Sequence, residues 1–184
     1  MPTARDITLR KLTLTDRKSL ALLANNKKVW DNLRDYIPFP YTEKNAEDFI
    51  ALVKDESPTL TFAIAYKEQF CGIISLNRQA DVYRLTAEIG YWIGEPFWNK
   101  GIATEAVQLV TAYGFTELKL VRIHTGIFEY NKTSMRVLEK CGYRKDGVFE
   151  KSVIKNEQIW DEHRYSIITA HNSSFKKQGL TNMY

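Results

Sequence analysis

Residues 88–106 read Glu-Ile-Gly-Tyr-Trp-Ile-Gly-Glu-Pro-Phe-Trp-Asn-Lys-Gly-Ile-Ala-Thr-Glu-Ala, and they are the most informative part of the chain. The apolar residues at the start of this stretch predict a strand over Thr86–Ile93. A short loop with a proline follows over Gly94–Lys100. Apolar residues then recur at helical spacing and predict a helix from Gly101 to Leu118. A strand, a tight loop and a helix that begins at a glycine are therefore expected in direct succession.

The first turn of this predicted helix has the properties of an anion site. Its backbone N–H groups have no partner within the helix, and the helix dipole makes this end positive. Gly101 has no Cβ, and Ala103 is small, so a phosphate can approach the main chain. Lys100 adds a cation and Thr104 a hydroxyl donor. The segment predicts a diphosphate site; the alternative interpretation is a glycine that merely starts a helix.

A second segment, Glu129–Ser134, follows a predicted strand over Val121–Phe128 and opens a helix over Asn131–Cys141. On spacing alone, Asn131 is an N-cap and Ser134 a polar residue of the first turn. This structural interpretation is the one that the spacing favours.

The rest of the chain predicts a mixed sheet with helices on both faces, an α/β fold with α+β character. Seven strands are expected, and one domain covers residues 1–170, followed by a polar tail over 171–184. Besides the elements given above, we predict strands over Ile7–Leu12, Leu60–Tyr66, Phe70–Leu76, Tyr143–Glu150 and Gln158–Thr169, and helices after Thr15, over Lys27–Leu33 and after Thr42.

Composition narrows the function classes. The 184 residues carry a formal charge of +4, too small and too dispersed to indicate a nucleic-acid binder. Cys71 and Cys141 lie far apart without ligand spacing, so we expect reduced thiols and no metal site. No run has the length or apolarity of a signal peptide or a membrane span, so we expect a cytoplasmic protein without a membrane partner.

The loop and helix start resemble the pyrophosphate loop of the GNAT superfamily, the Gcn5-related N-acetyltransferases. That loop reads Arg/Gln-x-x-Gly-x-Gly/Ala, and Trp98, Gly101 and Ala103 stand at its three positions. Trp98 departs from the general pattern and is similar to the form found in the RimJ/RimL-like ribosomal-protein N-terminal acetyltransferase branch. The resemblance extends from Ile7 to Ala170 and implies a mostly antiparallel seven-stranded sheet.

The resemblance also implies acetyl-CoA as the cofactor, with no metal. Asn131 is then expected to hold the pantetheine arm, and Ser134 to protonate the departing CoA thiolate. Trp92 and Ile93 are expected to bond the pantetheine through their main chain. The residues expected to contact the cofactor are Trp92, Ile93, Trp98, Asn99, Lys100, Gly101, Ile102, Ala103, Thr104, Asn131 and Ser134.

Acetyl transfer to an amine needs a base, and Glu88 on the predicted strand Thr86–Ile93 is the first candidate. The alternative is a structural carboxylate paired with an arginine or lysine. Asp161 is the reserve candidate and lies on the acceptor side in this branch. Arg34 and Tyr36, in an aromatic loop, are expected to grip the acceptor, with loop packing as their alternative role.

The sequence thus predicts an acetyl-CoA-dependent N-acetyltransferase that acts on a primary amine, either a protein N-terminus or a small molecule. The second hypothesis is a GNAT-like module that binds acyl-CoA as a sensor without catalysis. A nucleic-acid binder ranks below both because the chain has no stacking motif or basic stripe. A homodimer is compatible with the sequence.

Overall fold

A computed structural model describes residues 3–4 and 6–169, and its strands form one sheet. The sheet order is β1-β2-β3-β4-β5-β6-β8-β7. Neighbouring strands are antiparallel except β5 and β6, which are parallel. The strands are β1 (Thr3–Ala4), β2 (Ile7–Arg10), β3 (Thr61–Tyr66), β4 (Gln69–Arg78), β5 (Thr86–Ile93), β6 (Arg122–Phe128), β7 (Arg144–Lys155) and β8 (Gln158–Ile168).

The predicted mixed, mostly antiparallel sheet is confirmed, with all seven predicted strands present. An eighth strand, the two-residue β1, pairs with the start of β2. The predicted single domain over 1–170 stays a prediction, and the predicted tail 171–184 lies outside the described residues. No helix in the described ranges is long and apolar enough to span a membrane.

Helices cover both faces of the sheet, as predicted. One face carries α4 and α5, whose apolar sides pack on the inward residues of β4, β5 and β6. The other face carries α1 and α3, which pack on β3 and β4 through a second apolar cluster. The helices of the described part are α1 (Arg17–Ala24), α2 (Lys27–Trp30), α3 (Glu43–Val53), α4 (Ile102–Thr116) and α5 (Lys132–Lys140).

Most predicted boundaries in the described residues lie within two residues of the observed ones, and two were wrong by three residues or more. The strand expected to end at Glu150 continues as β7 to Lys155, because Lys151, with φ 49°, forms part of an irregularity that lets pairing with β8 resume. The helix expected over Lys27–Leu33 stops at Trp30, and turns follow it. The first error comes from a strand irregularity that a hydrophobic pattern does not encode.

The parallel pair of β5 and β6 is short and then divides. Only Thr86–Glu88 pairs with Arg122–His124. Beyond this point β5 continues along β4 to Ile93, while β6 continues along β8 to Phe128. The two strands therefore separate and open a wedge in the middle of the sheet, which we call the β5–β6 wedge.

The end of β5 lies unusually close to β4. Gly72 of β4 faces Ile93 of β5, and a Cβ at Gly72 would collide with the carbonyl oxygen of Trp92. The N–H of Gly94 donates to the carbonyl of Cys71 at 2.8 Å, so this contact also fixes the loop after β5. The lack of a side chain at position 72 therefore allows the end of β5 to lie this close to β4.

We expect Gly72→Ala to destabilise the fold by about 1–3 kcal/mol, the usual cost of overpacking against a rigid neighbour. Gly90→Ala is the matched control, because its added Cβ would meet only the Ser75 hydroxyl at 3.6 Å. Denaturant unfolding measures both variants. Equal stability of the two would show that the close approach at Gly72 is not needed.

Candidate active site

The loop from β5 to α4 turns sharply to present the first turn of α4. A 3₁₀ turn over Glu95–Phe97 is followed by Asn99 and Gly101 with φ values of 61° and 76°. The first helical bond runs from the N–H of Glu105 to the carbonyl of Gly101 at 3.2 Å. Helix geometry therefore leaves the preceding amides of the first turn free to bind a ligand.

The space around Gly101 is open. A Cβ built on this residue would meet nothing within 4 Å. A surface groove of about 540 Å³ begins here and runs along one side of α4 towards the end of α5. Its lining residues are Gly101, Thr104, Glu105, Gln108, Leu109, Ala112 and Lys140.

The side chains of Trp98 and Lys100 brace the loop before Gly101. The indole Nε1 of Trp98 donates to the carbonyl of Ile93 at 2.6 Å. The Nζ of Lys100 donates to the carbonyl of Pro96 at 3.0 Å and lies 5.3 Å from the centre of the Phe97 ring. Lys100 is thus turned back on the loop, and the Ile93 carbonyl already has one donor.

Tyr91, Asn131 and Ser134 meet on the α5 side of the wedge. The carboxamide oxygen of Asn131 accepts from the N–H of Ser134 at 3.1 Å, so the predicted N-cap is present. The Tyr91 hydroxyl lies 2.7 Å from the Ser134 hydroxyl. Burial raises the pKa of Tyr91, which keeps this phenol protonated and able to donate.

Tyr91 is a site residue that the sequence reasoning missed. Its signal was available, because Tyr91 lies on the same face of the strand as the apolar residues Ala87 and Ile89, the face that the helices cover. What could not be predicted was that Ser134 would lie opposite it.

On the other face of the wedge, Glu88 pairs with Arg34, 54 residues away in the chain. The Glu88 side chain is 18% exposed and the Arg34 side chain 55% exposed. The two predicted site residues are thus brought together, in the ion pair that the structural interpretation of Glu88 also expects.

A cluster of three side chains, His124, Arg164 and Glu162, lies beside Glu88 on the same face of the sheet. His124 faces Glu88 across the last paired position of β5 and β6. Arg164 lies 3.2 Å from His124 Nδ1 and donates to Glu162 at 2.8 Å. Since a guanidinium only donates, His124 Nδ1 accepts, and the neutral ring carries its proton on Nε2. Burial, and then the charge of Arg164, lower the pKa of His124.

Gly126 makes room for this group. A Cβ at Gly126 would collide with the carboxylate of Glu162, which therefore lies directly over the main chain of β6. The absence of a side chain at position 126 thus allows Glu162 to reach Arg164 at the floor of this face.

The sequence matches a known protein family over most of its length. A family model described as "Acetyltransferase (GNAT) domain" matches residues 6–144. The chain belongs to the GNAT acetyltransferase family. It is accordingly an acyltransferase of the N-acetyltransferase class.

Individual GNAT proteins agree with this assignment. The chain is 35% identical over 167 residues to "Probable N-acetyltransferase YjcK" of Bacillus subtilis (strain 168), which covers 87% of this chain and 92% of the relative. The structure of the microcin C7 self-immunity acetyltransferase MccE in complex with acetyl-CoA and AMP has a TM-score of 0.77 and 28% identity, covering 90% and 94% of the two chains. RimL, a ribosomal L7/L12 alpha-N-protein acetyltransferase, has a TM-score of 0.80 over 91% and 96% of the chains but 18% identity, which is a likeness of fold alone.

The features above fit the cofactor that a GNAT enzyme uses. The open glycine at the start of α4 suits a diphosphate. Beyond Glu88, β5 has no strand partner on its β6 side within the described residues, so its main chain is free to pair with an extended arm. In the same ranges, no group of three or more His, Cys, Asp or Glu residues could hold a metal ion.

Two residues predicted for the GNAT acceptor site do not join Glu88. Asp161 accepts the N–H of Lys151 at 2.8 Å and supports the irregularity of β7. It alternates with Glu162 along β8 and therefore points to the opposite face from Glu88. Tyr36 is 78% exposed. Of the acceptor-side predictions, the structure brings only Arg34 to the wedge.

Proposed function

We propose that this GNAT protein transfers the acetyl group of acetyl-CoA to a primary amine by direct attack on the thioester, in the cytoplasm. The observation that carries the proposal is the β5–β6 wedge. The strand on one side of the wedge, β5, leads through a short loop to the open first turn of α4. An extended thioester lying in the wedge could be reached from the Glu88 face by an amine.

The proposed cofactor site consists mainly of main chain. The amides of Ile102, Ala103 and Thr104 bind the diphosphate, and the glycine at 101 lets it approach. Trp92 and Ile93 bind the pantetheine arm as an added strand would, with Trp98 holding the end of β5 in position. Lys100 contributes positive charge near the diphosphate without contacting it.

The proposed transfer uses one group on each side of the wedge. Glu88 accepts a proton from the acceptor ammonium, directly or through a water, so that the nitrogen lone pair can attack the thioester carbon. As the C–S bond breaks, Ser134 donates a proton to the departing sulfur, and Tyr91 orients the Ser134 hydroxyl. The nitrogen loses its second proton as it becomes the amide, and this proton returns through water to Ser134. Asn131 holds the turn that carries Ser134.

We expect Tyr91→Phe to lower kcat about threefold to tenfold, because Ser134 loses a hydrogen bond that orients it, typically about 1 kcal/mol. Ser134→Ala should lower kcat further, while the KM for acetyl-CoA changes little in both variants. Steady-state kinetics of thiol release provide the measurement. A wild-type kcat for Tyr91→Phe beside a defective Ser134→Ala would remove Tyr91 from the mechanism.

The RimJ/RimL-like branch assignment belongs to this proposal, and a protein N-terminal amine and a small-molecule amine are both candidates for the acceptor. The competing function is an acyl-CoA sensor. Thiol release from acetyl-CoA, measured with a panel of peptides and small amines, separates the two. Turnover with any member supports the enzyme, whereas tight acetyl-CoA binding without turnover across the panel would support the sensor.

A further inference from the structure

The Arg34–Glu88 ion pair occupies the place where an acceptor amine would have to arrive. Glu88 is the last residue of β5 that pairs with β6, so its carboxylate lies where the wedge begins. Arg34 lies in the loop after α2 and reaches Glu88 on the face of the sheet opposite to α4 and α5. An acceptor ammonium that approaches Glu88 therefore meets the Arg34 guanidinium, which already donates to one oxygen of this carboxylate.

Arg34 is presented from an anchored loop. The next residue, Asp35, accepts from Lys155 at 2.6 Å, and Lys155 is almost fully buried, with its Nζ 3.2 Å from the centre of the Trp30 ring. Asp31 accepts from Asn156 at 2.9 Å. The β7–β8 hairpin thus holds this loop at both places, so the position of Arg34 is set in advance of ligand binding.

The neighbouring charges on this face are already neutralised. Glu162 is paired with Arg164, Asp35 with Lys155 and Asp31 with Lys27. Arg34, by contrast, keeps more than half of its side chain exposed while it pairs with Glu88. Because the Arg34 guanidinium stays open to solvent, a ligand that offers it an equivalent anion can reach it and exchange with Glu88.

We propose that the acceptor is a zwitterionic amine, with a carboxylate or phosphate close to its ammonium, and that Arg34 selects it by binding the anion. This inference rests on the proposed acetyltransferase function and names its substrate class. The acceptor replaces both members of the pair: its anion takes Arg34, and its ammonium takes Glu88. A polycation would instead place additional positive charge beside an arginine that has lost its partner.

The exchange also couples recognition to proton removal. While Arg34 holds Glu88, the carboxylate is engaged; once the acceptor anion engages Arg34, Glu88 is free to accept a proton from the ammonium. The amine nitrogen then forms the C–N bond as the C–S bond breaks, and the proton passes from Glu88 to solvent. An amine without an anion lacks this release step.

Matched acceptors test the proposal. The panel pairs α-amino acids with their amides and phosphoethanolamine with ethanolamine, and adds spermidine and a neutral peptide amide. We expect wild-type kcat/KM to favour the anionic member of at least one pair by about tenfold or more, the range of a charged hydrogen bond. The amino-acid and phosphoethanolamine arms identify which anion is read.

Arg34→Gln should reduce that preference towards one, with its loss appearing mainly in KM, and Arg34→Lys should retain part of it. Arg84→Gln is the control, since Arg84 is exposed and its side chain donates to the main-chain carbonyl of Asp81 at 3.1 Å. Thermal midpoints of the CoA-bound protein give a second readout: anionic members should raise the midpoint of the wild type but not of Arg34→Gln.

Two results would overturn the inference while leaving the acetyltransferase function intact. One is a kcat/KM for spermidine, the neutral peptide amide, the amino-acid amides or ethanolamine that equals the kcat/KM of the best anionic member of the panel. The other is an anion preference unchanged in Arg34→Gln. Absence of both turnover and midpoint shifts with every anionic member would also overturn it, whereas absence of acetyl-CoA binding would instead reject the proposed function.

Discussion

Gly101→Glu is expected to abolish CoA binding. The substitution places a carboxylate beside the first-turn amides of α4, where the diphosphate is proposed to lie. Two like charges about 4 Å apart near a protein surface repel by about 4 kcal/mol, which is a loss of roughly 100-fold or more in Kd. The φ of 76° at this residue adds backbone strain for any side chain. Isothermal titration with CoA is the measurement.

Two further variants separate charge from strain and from added bulk. Gly101→Ala retains the strain without the charge and should weaken CoA binding only moderately. Gly147→Glu adds the same carboxylate at another glycine whose Cβ would meet nothing within 4 Å, on β7 and away from α4. Unchanged CoA affinity in Gly101→Glu would exclude the first turn of α4 as the diphosphate site.

Glu88→Gln is expected to lower kcat by about 100-fold, within the range that general-base catalysis supplies, while CoA affinity stays at the wild-type value. The amide keeps the volume of the side chain but cannot accept the ammonium proton. The defect should be largest at low pH and shrink as pH rises, because more of the amine is then already neutral in solution. Steady-state rates across pH test both statements.

Glu162→Gln is the comparison for this variant, since Glu162 lies on the same face but is held by Arg164 over Gly126. If Glu88 is the base, Glu162→Gln should not reproduce its pH-dependent defect. Wild-type turnover of Glu88→Gln over the whole pH range would transfer the base role to another group or to water.

Much of the fold could be predicted because its signals are local. The strand Thr86–Ile93 and the helix that starts at Gly101 each have a clear period, and a glycine with positive φ joins them. The length of β7 was not predictable in this way. Its continuation beyond Glu150 depends on pairing with β8 after an irregularity at Lys151, which is a property of two strands together.

In the candidate site, too, local features could be predicted from the sequence, whereas contacts between distant residues could not. Gly101 and the Asn131 cap could be placed from spacing, because a helix start is a local event. The contacts of Glu88 with Arg34 and of Tyr91 with Ser134 span 54 and 43 residues of sequence. Tyr91 lies beyond the point where β5 and β6 separate, and no pattern within either strand announces where that separation begins.

The main chain of the first turn of α4 is proposed to bind the diphosphate, and amide chemical shifts report on this binding directly. In a ¹⁵N NMR titration with CoA, we predict that the largest changes fall on residues 101–104, together with the wedge edge of β5 at residues 91–93. Saturation by CoA with these amides unshifted and a different surface perturbed would contradict the account.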